Sequence, residues 1–232
     1  MLRSPKRITR KDIRQPDHFV ILARQCISFF TQHRTRFAVS LSILAAIVVI
    51  LFGWDLYRGR QNRLAAAEYT RAVRLYHQGR YRETLQALGR LSAYPSSFYS
   101  RLALLYAAKS HMALEENEKA VEPLRQLLAT ERSDPLLRQA AFMSLAYVEE
   151  KIGQCQQAVL AFAEAERIAG PLTTDATLGK ARCSAQTGNV NEAVASYRKF
   201  LTDNPSSERV GEMQLRLQEL GGRLAGESGP RK

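Results

Sequence analysis

The pattern that decides the fold is clearest in residues 176–200, which read ATLGKARCSAQTGNVNEAVASYRKF. Ala181 is followed by Gly188, then by Ala193 and, four residues later, by Tyr197. The same order of a small residue, a turn residue, a second small residue and a bulky residue occurs three times earlier in the chain. The second small position is occupied, at successive spacings of 36, 38 and 35 residues, by Thr84, Ala120, Ala158 and Ala193. Such a period predicts a stack of helix-turn-helix units.

Each position of this pattern has a physical reason. Small residues let the two helices of a unit approach closely; the first set is Ala72, Ala108, Ala146 and Ala181. A turn residue ends the first helix, at Gly79, Glu115, Gly153 and Gly188. A bulky apolar residue packs from the second helix, at Leu88, Leu124, Phe162 and Tyr197. A proline lies near the end of each unit, at Pro95, Pro135, Pro171 and Pro205.

The rest of the chain after residue 61 is also helical in character. It is rich in Ala, Leu, Glu, Gln and Arg and lacks the alternation of a strand. We therefore predict an all-α fold with about four helical pairs within residues 62–221, ending in a capping helix over residues 206–220. Pro123 is expected to kink the second helix of the second unit. The glycine-rich, charged residues 222–232 are predicted to be disordered.

These four repeats resemble the tetratricopeptide repeat. In that family the first helices line a groove that binds other proteins or peptide segments. Tyr, Met and Arg are the residue types enriched at such interfaces. The resemblance therefore implies a partner-binding groove containing Tyr69, Tyr76, Tyr106, Lys109, Met112, Met143, Tyr147 and Arg182. About half of the first-helix positions could instead belong to the core between repeats, as expected for Leu102, Leu105 and Leu178.

A single apolar segment precedes the repeats. Residues 37–54 read FAVSLSILAAIVVILFGW, without a charge, and at about 1.5 Å per residue they cover most of a bilayer core near 30 Å thick. We predict a transmembrane helix over residues 37–57. A buried helix of a soluble protein is the alternative, but the remaining sequence has too little apolar surface to enclose it. A cleavable signal peptide fits poorly, because 36 residues precede the segment and Asp55-Leu56-Tyr57-Arg58 follows it where small residues are expected.

Residues 1–36 form a basic tail. They contain nine basic and two acidic residues, and therefore carry +7 of the formal charge of +12. A basic tail directly before an apolar span favours binding to anionic lipid headgroups over nucleic acid. Apolar spacing between Pro16 and Phe30 predicts an amphipathic helix on the membrane surface, with an unstructured flank as the alternative. The tail predicts a cytoplasmic N-terminus, although Arg58, Arg60 and Arg63 after the span oppose that orientation.

The layout of basic tail, one span and repeats is similar to bitopic bacterial inner-membrane proteins related to the ancillary subunit of the Sec translocon. That resemblance implies a periplasmic repeat domain that acts beside a translocon or with periplasmic chaperones. We therefore predict a scaffold that assists secretion or envelope-protein assembly. The alternatives are a structural tether that self-associates or braces a membrane complex, and an assembly factor for cytochromes.

The sequence contains no pattern typical of an enzyme. His18, His33, His77 and His111 are scattered, without a carboxylate or cysteine at ligand spacing, so no metal, cofactor or small-molecule substrate is predicted. Cys155 begins the second helix of unit three and Cys183 lies near the end of the first helix of unit four. Antiparallel neighbours bring these ends to the same height, so a disulfide is sterically allowed. Two small buried residues are the other interpretation.

Overall fold

A computed structural model describes residues 34–227. Residues 1–33, which hold most of the basic tail and all of its predicted amphipathic helix, and the last five residues lie outside the described residues. The described chain divides into two compact units, one ending at Tyr57 and the other beginning at Arg58. The first helix, α1, is Arg34–His77, and it contains both the predicted span and the first helix of the first repeat without a break.

The apolar part of α1 is long enough to cross a membrane, and none of its most apolar window is buried. Val49, Ile50 and Phe52 are all largely exposed. A helix that is hydrophobic all round needs an apolar environment along its whole surface. Among the described residues, this helix is a candidate membrane span or signal segment by its length and composition.

The second unit consists of paired helices. They are α2 (Tyr81–Gly89), followed by a 3-10 turn (Arg90–Ala93), α3 (Phe98–Ala113), α4 (Asn117–Thr130), α5 (Pro135–Lys151), α6 (Cys155–Arg167), α7 (Thr173–Gln186), α8 (Val190–Asp203) and α9 (Val210–Glu227). The end of α1 pairs with α2 in the first repeat, and α3/α4, α5/α6 and α7/α8 form the next three. The predicted all-α solenoid of four helical pairs and a final helix is confirmed.

The repeat positions form the core. The four first-helix alanines at 72, 108, 146 and 181 are fully buried, as are Thr84, Ala120, Ala158 and Ala193 opposite them. Phe162 and Leu124, two of the bulky second-helix residues, are fully buried as well. Close helix packing through small residues therefore sets the spacing of the two helices in every repeat.

The four turns inside the repeats share one backbone conformation. Gly79, Gly153 and Gly188 have φ of 74°, 77° and 80°, and Glu115 takes the same place with φ 62°. In each turn the next residue's N–H donates to a carbonyl five residues earlier: Arg80 to Leu75, Glu116 to His111, Gln154 to Glu149 and Asn189 to Ser184. These bonds form the Schellman motif that ends a helix with a left-handed residue.

Two prolines have different effects on their helices. Pro135 is the first residue of α5, where the Asp134 side chain accepts hydrogen bonds from the N–H groups of Leu136 and Leu137, both at 3.0 Å. Pro123 lies inside α4, which continues through it to Thr130. At the other end, α9 extends to Glu227, so residues 222–227 are helical where disorder was predicted. Arg, Leu, Ala and Glu in that stretch favour helix despite Gly222 and Gly226.

Candidate functional site

The first helices of successive repeats form a continuous surface, because α3 contacts α5 and α5 contacts α7. The residues predicted to bind partners lie on these helices. The structure does not bring them all together. It places them in two separate groups, one on the first two repeats and one on the last two, with two methionines elsewhere.

The first group is a set of five tyrosines, Tyr69, Tyr76, Tyr81, Tyr99 and Tyr106, which we name the tyrosine cluster. The ring centroid of Tyr106 lies 5.2 Å from that of Tyr76 and 5.8 Å from that of Tyr69, both edge to face. Tyr99 contacts Tyr69 at 5.2 Å, and Tyr81 contacts Tyr76 at 5.5 Å. All five rings are half-buried, so the cluster presents aromatic surface to solvent.

The hydroxyl groups of Tyr69 and Tyr76 are harder to ionise than a free tyrosine. Burial raises the pKa of Tyr69, and the neighbouring hydroxyl of Tyr106 raises it further. Burial also raises the pKa of Tyr76, with Tyr81 and Tyr106 as further causes. A cation lies beside the cluster at Lys109, whose Nζ is 5.6 Å from the ring centroid of Tyr106. The cluster is therefore an aromatic surface with hydrogen-bonding hydroxyls and one positive charge at its side.

Helical spacing explains how the cluster forms. Tyr69 and Tyr76 are seven residues apart on α1, and Tyr99 and Tyr106 are seven apart on α3, so each pair lies on one helix face. Tyr99 was not predicted as a site residue, although its distance from Tyr106 is a signal that could have identified it. Tyr81 was also missed. It begins α2 and meets Tyr76 across the turn at Gly79, a contact that depends on the turn geometry.

The second group surrounds a cavity of about 460 Å³ between α7, α8 and α9, which we name the arginine pocket. Its lining includes Arg182, Tyr197, Arg209, Glu212, Arg216 and Glu219. Each arginine has an acidic partner: Arg182 donates two hydrogen bonds of 2.6 Å to Glu150, Arg209 pairs with Asp175 at 3.1 Å, and Arg216 with Glu219 at 3.2 Å. The pocket thus offers both charges, with its guanidinium groups already oriented.

Tyr147 stands beside the arginine pocket. Its side chain remains 39% exposed while its ring packs edge to face on Phe162, with centroids 5.5 Å apart. Burial of the rest of the side chain raises the pKa of Tyr147, and the neighbouring Asp175 acts in the same direction. The hydrogen bonds that Arg182 makes to Glu150 raise the pKa of its guanidinium. Tyr147 and Arg182 therefore form a neutral donor and a permanent cation on one surface.

The two predicted methionines do not belong to either group. Met143 is only 3% exposed and lies in the main core, so it cannot contact a partner in the folded protein. A first-helix position close to the neighbouring repeat is covered by that repeat, which explains its burial. Met112 is half-buried and packs against the same core. The groove prediction therefore retains Tyr69, Tyr76, Tyr106 and Lys109 at one end, and Tyr147 and Arg182 at the other.

The described part of the chain contains no group of three or more His, Cys, Asp or Glu side chains placed to hold a metal ion. Cys155 and Cys183 are brought together, however. Both are buried free thiols, and their sulfur atoms lie 2.6 Å apart.

Sequence and structure comparisons agree on one architecture. The profile of the tetratricopeptide repeat-like domain family matches residues 28–222. Among solved structures, that of MamA protein superposes with a TM-score of 0.58 at 18% identity, covering 71% of this chain and 84% of its own. Tetratricopeptide-like repeats of a Podosopora anserina putative kinesin light chain give 0.55 at 22%, covering 72% and 93%. PilW, a type IV pilus biogenesis factor, gives 0.53 at 20%, covering 69% and 73%. No curated protein matches the sequence.

Proposed function

Because the chain belongs to the tetratricopeptide repeat-like domain family, whose repeats bind proteins and peptides, we propose that it is a membrane-anchored scaffold that captures a partner on its first-helix surface. The single observation that supports the proposal most is the tyrosine cluster. Its rings are held by one another at 5.2 to 5.8 Å, yet each remains partly open to solvent.

An exposed and pre-ordered aromatic surface is suited to binding a peptide segment. Tyrosine offers a large apolar face and a hydroxyl, and it loses little conformational entropy when it is already packed. Lys109 adds a positive charge beside Tyr106. A segment that places an apolar or aromatic side chain among the rings and an acidic group near Lys109 fits this chemistry. The arginine pocket supplies a second, charged contact region on the last two repeats.

The membrane anchor is the second part of the proposal. The uncovered apolar helix within α1 supports an anchor that is retained, with the basic tail against anionic headgroups on the cytoplasmic side and the repeats in the periplasm of a bacterium. Extraction of membranes at high pH should leave the chain in the pellet. Protease added to intact spheroplasts should degrade the repeats. Release into the soluble fraction would contradict the anchor, and protection of the repeats would reverse the orientation.

The cellular role follows from location and layout. The resemblance to the ancillary subunit family of the Sec translocon supports a scaffold that assists secretion or envelope-protein assembly beside a translocon or with a chaperone. Its partner would then be a protein segment emerging at, or working near, the outer surface of the inner membrane.

Site-specific photocrosslinking in cells tests the surface and the role together. A photoreactive amino acid is placed at Tyr106, and in a matched variant at Leu160, which is 70% exposed on the second helix α6. Capture of a translocon subunit or a periplasmic chaperone at position 106, but not at position 160, is the expected result. Equal capture at both positions would remove the groove from the proposal. Capture of only a second copy of the chain would instead indicate the self-associating tether.

A further inference from the structure

The two buried cysteines lie where two repeats meet. Cys155 is the first residue of α6, in the third repeat, and Cys183 lies near the end of α7, in the fourth. Their sulfur atoms are 2.6 Å apart, and the Cys155 thiol also donates to Oε1 of Gln186 at 2.7 Å. The two cysteines are 28 positions apart in the sequence, and the segment between them includes the whole connection between these repeats. A covalent bond here would join one repeat to the next.

Only one of the two thiols is near solvent. Cys155 is 6% exposed and lines an open cavity of about 470 Å³, whereas Cys183 is fully buried. The cavity is lined by uncharged residues, namely Gly153, Gln154, Cys155, Gln156, Gln157, Gln186 and Thr187. The glutamine amides can hydrogen bond with the backbone of a peptide disulfide. A reagent entering this cavity therefore meets Cys155 first.

The local chemistry also distinguishes the two cysteines. Cys155 is the first residue of α6, where it lines the open cavity. Burial raises the pKa of the Cys183 thiol, and its hydrogen bond with Cys155 adds to the effect. Cys155 is thus suited to attack an incoming disulfide, and Cys183 to act second, from within.

We propose that Cys155 and Cys183 form a thiol–disulfide exchange site, in which Cys155 exchanges with an external disulfide and Cys183 resolves it, locking the third repeat to the fourth. The Cys155 thiolate attacks one sulfur of a peptide or protein disulfide and releases the first thiolate. The Cys183 thiolate then attacks the Cys155 sulfur and releases the second. Two protein thiols are oxidised, the external disulfide is reduced to two thiols, and these take up the two protons. An external dithiol reverses the reaction.

The consequence is mechanical. In a solenoid each repeat contacts only its neighbours, so a bond across one boundary prevents the terminal repeats from separating there. This boundary supports Tyr147, Arg182 and the arginine pocket. The exchange site does not depend on which partner the scaffold binds, so its failure would leave the proposed function untouched.

The test uses the full-length protein in detergent, with Cys26→Ser so that only the pair remains. Reduced protein is incubated with oxidised glutathione, quenched by alkylation and digested. We expect a linked peptide containing Cys155 and Cys183 in most molecules, and a melting temperature roughly 5 to 10 °C above the reduced form. The added dithiol dithiothreitol should restore the lower melting temperature.

Single variants assign the two roles. In Cys183→Ala, glutathione should remain on Cys155 as a mixed disulfide, whereas in Cys155→Ala, Cys183 should stay a free thiol that alkylates only after unfolding. Circular dichroism checks that each variant is folded, and the linked peptide from the intact pair remains decisive if one is not. The absence of a linked peptide would overturn the proposal, and faster modification of Cys183 than of Cys155 would overturn the order of attack.

Discussion

Gly179 lies directly against the ring of Phe162, so closely that a β-carbon at residue 179 would stand 2.3 Å from Cε1 of that ring. Phe162 is fully buried and joins the third repeat to the fourth. Because Phe162 is fully buried, a displaced ring would have to push other buried side chains aside. The contact between these two residues therefore sets the distance between α6 and α7.

Substitution of Gly179 by Ala is expected to destabilise the repeats. The added methyl group forces the ring or α7 to shift, which costs about 1 to 3 kcal/mol in a packed core, even though Ala favours helix over Gly. Urea unfolding followed by circular dichroism measures the change. The control is Gly221→Ala in α9, where nothing lies within 4 Å, and it should be neutral or stabilising by up to about 1 kcal/mol. A Gly179→Ala protein as stable as this control would show that the interface adjusts freely.

Glu115 is the one non-glycine residue in the described chain with a positive φ, at the place where the other repeats have glycine. A side chain in that conformation is strained, and glycine removes the strain. Glu115→Gly should therefore stabilise the protein by about 0.5 to 1 kcal/mol. The reciprocal control is Gly153→Ala, which has φ 77° and open space around it, so only the backbone opposes the change. Gly153→Ala should lower the free energy of unfolding by a similar amount in the same urea experiment. If both variants changed this free energy in the same direction, the two turns would not share one backbone conformation.

Glu131 connects α4, α5 and α3 through a carboxylate that is 1% exposed. Burial alone would raise its pKa, but hydrogen bonds from the backbone N–H groups of Asp134 and Ser133, the Ser133 hydroxyl and the charge of Arg101 outweigh burial and hold the pKa at about 2. The unfolded pKa is 4.5, so the folded state is favoured above that pH, and this contribution is lost as pH falls from about 4.5 towards about 2.

Glu131→Gln should therefore lower the free energy of unfolding at neutral pH by about 2 to 3 kcal/mol and converge with the wild type near pH 2. Thermal unfolding across this pH range measures both. Glu164→Gln removes an exposed carboxylate that pairs with Arg167 at 2.8 Å, and it should change stability by less than about 0.5 kcal/mol. If the stabilities of the wild type and Glu131→Gln changed with pH in parallel, the pKa of Glu131 would be the same in the folded and unfolded states, and the prediction would be wrong.

The sequence predicted the paired helices because small residues such as Ala146 and Ala158 repeat at fixed positions. Small residues at these positions allow only a few ways of packing two helices closely together. The sequence also predicted that Tyr69 and Tyr106 lie on one first-helix surface, because their helix face followed from the register, and their rings do meet there. It did not identify Met143 as a core residue. Neighbouring positions around a first helix pass from the groove to the contact with the next repeat, and residue type alone does not show where one ends and the other begins. Tyr81 and the pairing of Arg182 with Glu150 depend on contacts between elements, which spacing along one helix does not encode.

The tyrosine cluster gives the last prediction, which separates binding from folding. Tyr106 packs edge to face on two other tyrosines, so Tyr106→Ala should cost about 1 to 3 kcal/mol of stability as well as partner binding. Tyr106→Phe keeps both ring contacts and loses only the hydroxyl. The Tyr106→Phe protein should melt within a few degrees of the wild type. Its capture of the partner should be weaker if the Tyr106 hydroxyl contacts the partner.

Tyr147 is the matched residue at the other end of the surface. Tyr147 is 39% exposed and its ring packs on that of Phe162, whereas Tyr106 packs on two tyrosine rings, so Tyr147→Ala should alter the melting curve less than Tyr106→Ala does. With a photoreactive amino acid at position 109 in every variant, the crosslinking yield measures partner binding, and the melting curve of the same protein gives its stability. Loss of capture in Tyr106→Phe at unchanged stability would place the hydroxyl in the interface. Full capture in both Tyr106→Phe and Tyr147→Ala would show that partner binding needs neither the Tyr106 hydroxyl nor the Tyr147 side chain. These two tyrosines would then only hold the repeats together.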